Sequence, residues 1–338
     1  MTATGMESLY GDAYVPLGST TVAPSLREGD YLEFFNPGSM SSWSSRFLPS
    51  SDEELGLSSA QGTLLARLIY GAILSERFSY RQDLIDPLLE SALGTSTPPA
   101  SIEELKAIAS HLDVVGTELR EDIVYSASIG AEDCHLFAQE ECVEPLLRDF
   151  INYVASVGSG RCGVQYLASV LLQILSIHPL ADGNGRLARH LVLRTAAREN
   201  LLGTAGLIIG IQWFNRKWFN ELAMDSRASG LDCYLKKYKR VFRAVHLRVL
   251  GSELLMRMLG ASLASSERAA REEEVVINKL IATGEIDLNQ IRALLSCSSG
   301  KAKDTAARVA ARIGLGSNQE STLSIEKMFA EVKGLLFI

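Results

Sequence analysis

From Val164 to Ile177 the chain is apolar almost all round, and this run ends in His178-Pro179. Apolar residues on every side suit a helix buried in the middle of a core rather than one lying on its surface. The densest part, Val170 to Ile177, is interrupted by Gln173 and Ser176 and falls short of the roughly 18 apolar residues that a membrane span needs. Proline disfavours the α region in the residue before it, so this helix should stop at His178 and hold the imidazole at its C-terminal mouth, delivered to a rim. An all-α fold built around one central rod is the expectation.

Other periodicities agree. Leu64, Leu65, Leu68, Ile69 and Ala72 recur at helical spacing within Thr63–Leu74, and Ile102–Leu112 repeats the pattern more weakly. Val143, Leu146, Leu147, Phe150, Ile151 and Val154 form an i, i+3, i+4, i+7 stripe, in which Pro145 should occupy the first turn. No proline follows Pro179, and Trp213–Leu222, Tyr234–Leu255, Glu272–Ile281 and Ile325–Leu336 are further helix candidates. One stretch departs from this: Ile123-Val124-Tyr125 and Leu136-Phe137 flank the turn Gly130-Ala131-Glu132-Asp133 and predict a β-hairpin over Ile123–Ala138, the only clear sheet. Residues 1–60, with four of the nine prolines and a Ser-rich patch, read as an N-terminal extension wrapping the core. A loosening at Gly260–Ser266 marks a boundary before a helical C-terminal region, 265–338.

Composition narrows the function classes. With 47% hydrophobic and 22% charged residues, a sizeable core can be buried. Asp plus Glu exceed Lys plus Arg by 40 to 33, a net charge of −7, which argues against broad affinity for nucleic acid or an anionic membrane. The five cysteines are odd in number and show no C-x-x-C spacing, so reduced, mostly buried thiols are expected rather than disulfides or a zinc ribbon. The N-terminus has no basic region followed by an apolar stretch, and its Ser, Thr and Gly-rich start leaves two readings: a cytoplasmic enzyme with a floppy leader, or one exported into a host or competitor cell.

Chemistry is concentrated in His178-Pro179-Leu180-Ala181-Asp182-Gly183-Asn184-Gly185-Arg186-Leu187-Ala188-Arg189. Gly183 and Gly185 permit backbone conformations closed to other residues, and a new helix can begin near Gly185 with several amides lacking partners. Those amides, the positive end of the helix dipole, and Arg186 and Arg189 at i, i+3 favour a multiply charged phosphate chain. Asp182 adds a hard oxygen ligand suited to Mg²⁺, or merely the N-cap of the next helix; the two roles are compatible.

This segment resembles the signature of the Fic family (filamentation induced by cyclic AMP), H-x-F-x-[D/E]-G-N-G-R-x-x-R, at every specified position except the aromatic one, where Leu180 stands. The resemblance covers about Thr63 to Leu250, within a Fic domain placed at 61–258. It implies an all-α Fic fold in which Leu180 anchors the loop in the core and the Ile123–Ala138 hairpin is a flap over the active site that docks a target protein. The activity implied is Mg²⁺-dependent transfer of AMP from ATP to a Ser, Thr or Tyr hydroxyl. Under that resemblance His178 is the general base and Asp182 holds the metal. Gly183, Asn184 and Gly185 bind the α-phosphate, with the Asn184 side chain taking part, while Arg186 and Arg189 grip the β- and γ-phosphates. Asn215, within Phe214-Asn215-Arg216-Lys217-Trp218-Phe219, is similar to the family's nucleoside-contacting asparagine. Gly185 and Arg189 favour nucleotidyl transfer over the phosphotransfer of proteins resembling Doc.

The resemblance also raises autoinhibition by a glutamate that pairs with Arg189, for which Glu326 and Glu76 are the candidates, both in departed versions of the family's motif. The chain shows no preference between a monomer and a homo-oligomer. Alternative activities are transfer of UMP, phosphate or phosphocholine by the same site. From a different class comes a nucleotide-gated DNA-binding regulator, with a helix-turn-helix over residues about 276–315, its turn at Ile281–Gly284 and a basic face of Lys301, Lys303, Arg308 and Arg312.

Overall fold

The computed structural model describes residues 6–7, 13–14, 57–75, 98–112, 117–121, 125–127, 134–136, 140–156, 163–229, 231–260, 266–315 and 322–338. Its helices are, in chain order, α1 (Ser59–Ser75), α2 (Ile102–His111), α3 (Glu140–Ser156), α4 (Val164–Ile177), α5 (Asn184–Arg198), α6 (Leu202–Phe214), α7 (Arg216–Ser229), α8 (Leu231–Gly251), α9 (Glu253–Leu259), α10 (Glu267–Thr283), α11 (Leu288–Leu295), α12 (Ser299–Arg312) and α13 (Glu326–Leu336). Its strands are β1 (Met6–Glu7), β2 (Ala13–Tyr14), β3 (Tyr125–Ala127), β4 (Cys134–Leu136), β5 (Glu285–Asp287) and β6 (Thr322–Ser324). The fold is all-α with a β-hairpin, as its periodicity requires.

The chain divides into two compact units that do not follow the linear order expected. One comprises residues 1–50, 92–199 and 216–239; the other comprises 51–91, 200–215 and 240–338. Helix α1 and the chain after Gly260 thus fall in the same unit, so Gly260–Ser266 does not separate units. Instead, Gly260 caps the end of α9 and Ser266 Oγ caps α10 by accepting from Ala269 N.

In the first unit α4 is the central rod. Leu167, Ala168, Val170, Leu171, Leu172 and Ile174 have no exposed surface, and each fully buried aliphatic side chain contributes about 1.5–3 kcal/mol. Ser169 Oγ pairs with Tyr153 Oη at 2.9 Å, and Tyr234 Oη donates to Ala168 O at 3.5 Å. Helix α3 packs on α4, α4 on α5, and α2 on both α3 and α5. Pro145 lies in the second turn of α3, beyond the first turn expected, and there removes the bond that the carbonyl of Glu141 would accept. The hairpin forms with Tyr125 opposite Leu136 and Ala127 opposite Cys134. It is not an isolated sheet: the order is β1-β2-β3-β4, all antiparallel, and β5 and β6 form a further pair elsewhere. Residues 128–133 of the hairpin, most of the N-terminal extension, and Glu76 lie outside the described residues.

The second unit is organised on α1 and α6. These approach so closely at Gly206 that a Cβ there would sit 2.9 Å from the Ala66 Cα. Helix α13 packs on both, and α10 and α9 pack on α1. The helix expected over Trp213–Leu222 is broken at Asn215, which caps α6 before α7 begins, and the one expected over Tyr234–Leu255 is broken at Ser252, which caps α9. Cys233 and Cys297 are free thiols and only half-buried, less hidden than expected. No helix among the described residues is long and apolar enough to cross a membrane.

Candidate active site

Helix α4 stops where the His-Pro pair requires. His178 is its C-cap, in the left-handed region at φ 51° and ψ 58°, with its N–H donating to Ile174 O. A left-handed turn without glycine is strained, costing about 1–2 kcal/mol. The loop that follows is braced to hold it. Arg120 donates through its backbone N–H to Pro179 O at 2.9 Å and through Nε to His178 O at 2.6 Å, and Leu119 bridges Leu180 in antiparallel fashion. Leu180 is 2% exposed, so leucine keeps the anchoring position in the core.

The imidazole is 4% exposed rather than carried on an open rim. Its Nδ1 lies 3.4 Å from Leu175 O. A carbonyl only accepts, so Nδ1 carries the proton and Nε2 is the basic nitrogen.

Helix α5 begins at Asn184, one residue earlier than expected. Gly183, not Asp182, is its N-cap, in the left-handed conformation at φ 79° that glycine adopts without penalty. Gly185 sits in the helix and does not use that freedom. Gly183 has no side chain with which to cap, so the first-turn amides of α5 are left to other acceptors, and the dipole adds its positive end there. Asn184, 1% exposed, is committed to the loop: its Oδ1 accepts from Leu180 N at 2.9 Å and its Nδ2 donates to Leu180 O at 2.7 Å. The side chain expected on a phosphate is therefore a clasp that fixes the turn, and only its backbone amide faces the helix mouth.

Arg186 and Asp182 hold each other at 3.2 Å, and Arg186 Nη1 donates to Leu112 O at 3.1 Å, tying the guanidinium to the end of α2. Arg189, one turn on, is 5% exposed. Further along α5, His190 is neutral. Burial, reinforced by the charge of Arg194 and by the neighbouring His111, pushes its pKa down to about 4. Arg194 pairs with Glu104 at 2.5 Å; burial raises that carboxyl, but the Ala100 N–H and Arg194 together bring it below its ordinary value.

The remaining candidates belong to the second unit. Asn215 is 7% exposed; its Nδ2 donates to Ile211 O and Leu336 O, and its Oδ1 accepts from Ile338 N, a structural tie within that unit. Glu326 is exposed as the first residue of α13. The tail forms a helix-turn-helix, but its turn is Ser296–Ser298 between α11 and α12; Ile281–Thr283 are still helical and Gly284 caps α10. Its basic face is largely spent: Lys301 pairs with Glu272, Arg308 donates to Glu273 at 2.6 Å, and buried Arg312 reaches the same carboxylate at 3.6 Å. Only Lys303 of that face is exposed, beside Asp304. Trp213 and Phe219 are core residues. A cavity of about 640 Å³ is lined by second-unit residues, among them Arg67, Arg271 and Glu274, and takes in none of the motif.

Arg120 was not visible beforehand. It stands in Leu119-Arg120-Glu121 with no periodic or motif signal, and only the tertiary fold brings it to His178.

Residues 99–195 match the model of the Fic/DOC family. No curated protein matches the chain. Among solved structures, a Fic family protein from Desulfovibrio desulfuricans G20 is similar over 82% of this chain and 86% of its own, at 14% identity and a TM-score of 0.45. Members of that family typically transfer nucleotide or other phosphate-containing groups onto targets, and the matched segment holds His178 and Arg189. Residues 99–195 thus belong to the Fic/DOC family.

Proposed function

We propose that this protein is a nucleotidyltransferase that moves AMP from ATP to a Ser, Thr or Tyr hydroxyl of a target protein. The observation that carries the reading is a pair of left-handed caps five residues apart, His178 ending α4 and Gly183 starting α5, the second leaving a helix N-terminus that has no side-chain cap. The Asn184 clasp and the Arg120 bonds keep that turn in one shape. Phosphoryl and nucleotidyl transfer depend largely on positioning and charge stabilisation, so this set suffices.

In the proposed reaction Nε2 of His178 takes the proton of the target hydroxyl as its oxygen attacks the α-phosphorus. The bond to the bridging β-oxygen breaks and pyrophosphate leaves. The backbone amides of Asn184 and Gly185 stabilise the charge on the α-phosphate, while Arg186 and Arg189 take the leaving phosphates. Asp182 and Arg186 neutralise each other across 3.2 Å, so both stand within one turn of the α5 N-terminus. Mg²⁺ fits this site through one carboxylate, that of Asp182, together with phosphate oxygens, the mode this ion prefers; it would neutralise phosphate charge. No group of three or more metal-ligating side chains occurs among the described residues. The target would dock by strand addition on β4, because β3 is already covered by β2 and β4 is the last strand of the sheet.

The test uses ATP labelled at the α- or the γ-phosphate, a cell lysate, and the native protein beside His178→Ala. Label should enter protein from the α-position only, and only with the native chain. Entry from the γ-position would replace nucleotidyl transfer with phosphotransfer, and equal labelling by the two proteins would remove His178 as the base.

A further inference from the structure

Arg120 is a buried charge bonded to the motif loop that has no chemical role in the proposed reaction. Arg120 is 6% exposed, and it serves three successive carbonyls: Nη2 donates to Ile177 O at 3.3 Å, Nε to His178 O at 2.6 Å, and its backbone N–H to Pro179 O at 2.9 Å. The first is a carbonyl that the end of α4 leaves without an intrahelical donor, the other two follow it at the cap and just beyond, and Pro179 has no N–H to offer them. A cation at a helix C-terminus is favoured by the dipole, and a planar guanidinium can span two carbonyls where an ammonium reaches one.

We infer that Arg120 is a positioning residue for His178: it locks the left-handed turn from which the imidazole projects and so fixes the ring nitrogen that accepts the proton. Three features require it. His178 adopts φ 51° without being glycine, its ring bond to Leu175 O is long at 3.4 Å, and its carbonyl is held by Arg120 at a much shorter distance. The backbone clamp, not the ring contact, is the stronger constraint on where the imidazole points. The inference rests on the reading of His178 as general base, and part of its test is independent of activity.

The full chain is prepared as native protein, Arg120→Ala and Arg120→Lys, with ¹⁵N-labelled histidine. Thermal unfolding and calorimetric binding of Mg-ATP come first, then label incorporation across ATP concentrations, and then the ring nitrogen spectrum of His178. In Arg120→Ala, ATP affinity should stay within about two-fold, while the saturating transfer rate falls about 10²-fold, as expected when a reacting group is misplaced by an ångström. The ring signals should move from one fixed tautomer towards an average of two. Millimolar guanidinium should restore part of the rate to Arg120→Ala and none to His178→Ala, and Arg120→Lys should fall between native and Ala. Should the alanine variant fail to fold, the lysine variant carries the same comparison. An unchanged ring spectrum overturns the inference, as does a rate loss fully matched by lost ATP binding, which would mark a purely structural arginine. If even the native protein transfers no label, the proposed function fails, and the ring spectrum still decides the role of Arg120.

Discussion

Two helix–turn–helix segments of this chain contain the same residue types and end up with opposite chemistry. In the motif, α4 ends on a left-handed His178 and α5 begins on Gly183, which brings no side chain to its N-terminus. In the tail, α11 ends on a left-handed Ser296, and α12 begins on Ser298, whose hydroxyl accepts from Lys301 N. One N-terminus has no side-chain cap; the other is satisfied by its own. The basic residues differ in the same way. Lys301, Arg308 and Arg312 of α12 are neutralised by Glu272 and Glu273 on α10, whereas among the described residues the carboxylate on Arg186 is Asp182, which itself belongs to the motif. Arginine and lysine at helical spacing do not make a site. What a neighbouring element places opposite them decides it.

The largest expected effect lies in the motif: His178→Ala should lower transfer by about 10²–10⁴-fold with thermal unfolding unchanged, the range for loss of a general base. In the tail the cost should fall on stability. Glu273 is wholly buried with two arginines on it, so Glu273→Ala should destabilise by about 3–5 kcal/mol in urea unfolding and leave residual transfer measurable. Equal effects of the two substitutions on activity would erase the contrast.

The buried bases sharpen it further. Helix α12 sets Arg312 3.6 Å from the Glu273 carboxylate, while α5 keeps His190 neutral, with a pKa of about 4 against an ordinary 6.5. The unfolded chain therefore takes up this proton first. The contribution of His190 to stability is intact above about pH 6.5, declines as pH falls to about 4, and amounts to at most about 3 kcal/mol. Urea midpoints at pH 7 and pH 4.5 should converge less steeply for the native protein than for His190→Gln only if this is wrong; the expected result is a smaller acid loss in the variant. Asn184→Ala, which leaves the Leu180 peptide without its clasp, should cost about 1–3 kcal/mol and slow transfer as well. Lys303→Glu, on an exposed position of α12, should change neither stability nor activity.

The sequence carried most of the helical framework because helices buried on one face leave a 3.6-residue imprint, as in α1 and α3. It missed α6, which is buried on all sides from Leu202 to Phe214 and so shows no amphipathic period. The end of α4 was legible from His178-Pro179, since proline constrains its neighbour locally. The roles of Asn184 and Arg120 were not, because they are set by contacts: Asn184 looks like a ligand until Leu180 is seen between its two amide atoms, and Arg120 lies 58 residues from the carbonyl it holds. Likewise, the basic face of the tail looked available because nothing in its own stretch reveals the carboxylates of α10.

The most direct test of the central claim, that a phosphate chain rests on the start of α5, is a titration of ¹⁵N-labelled protein with Mg-ATP followed through backbone amide signals. The account predicts that Asn184, Gly185 and Arg186 shift together to saturation while the α12 amides Ser299 and Gly300 do not move. Binding of ATP that shifts other residues and leaves Asn184 and Gly185 in place would contradict it.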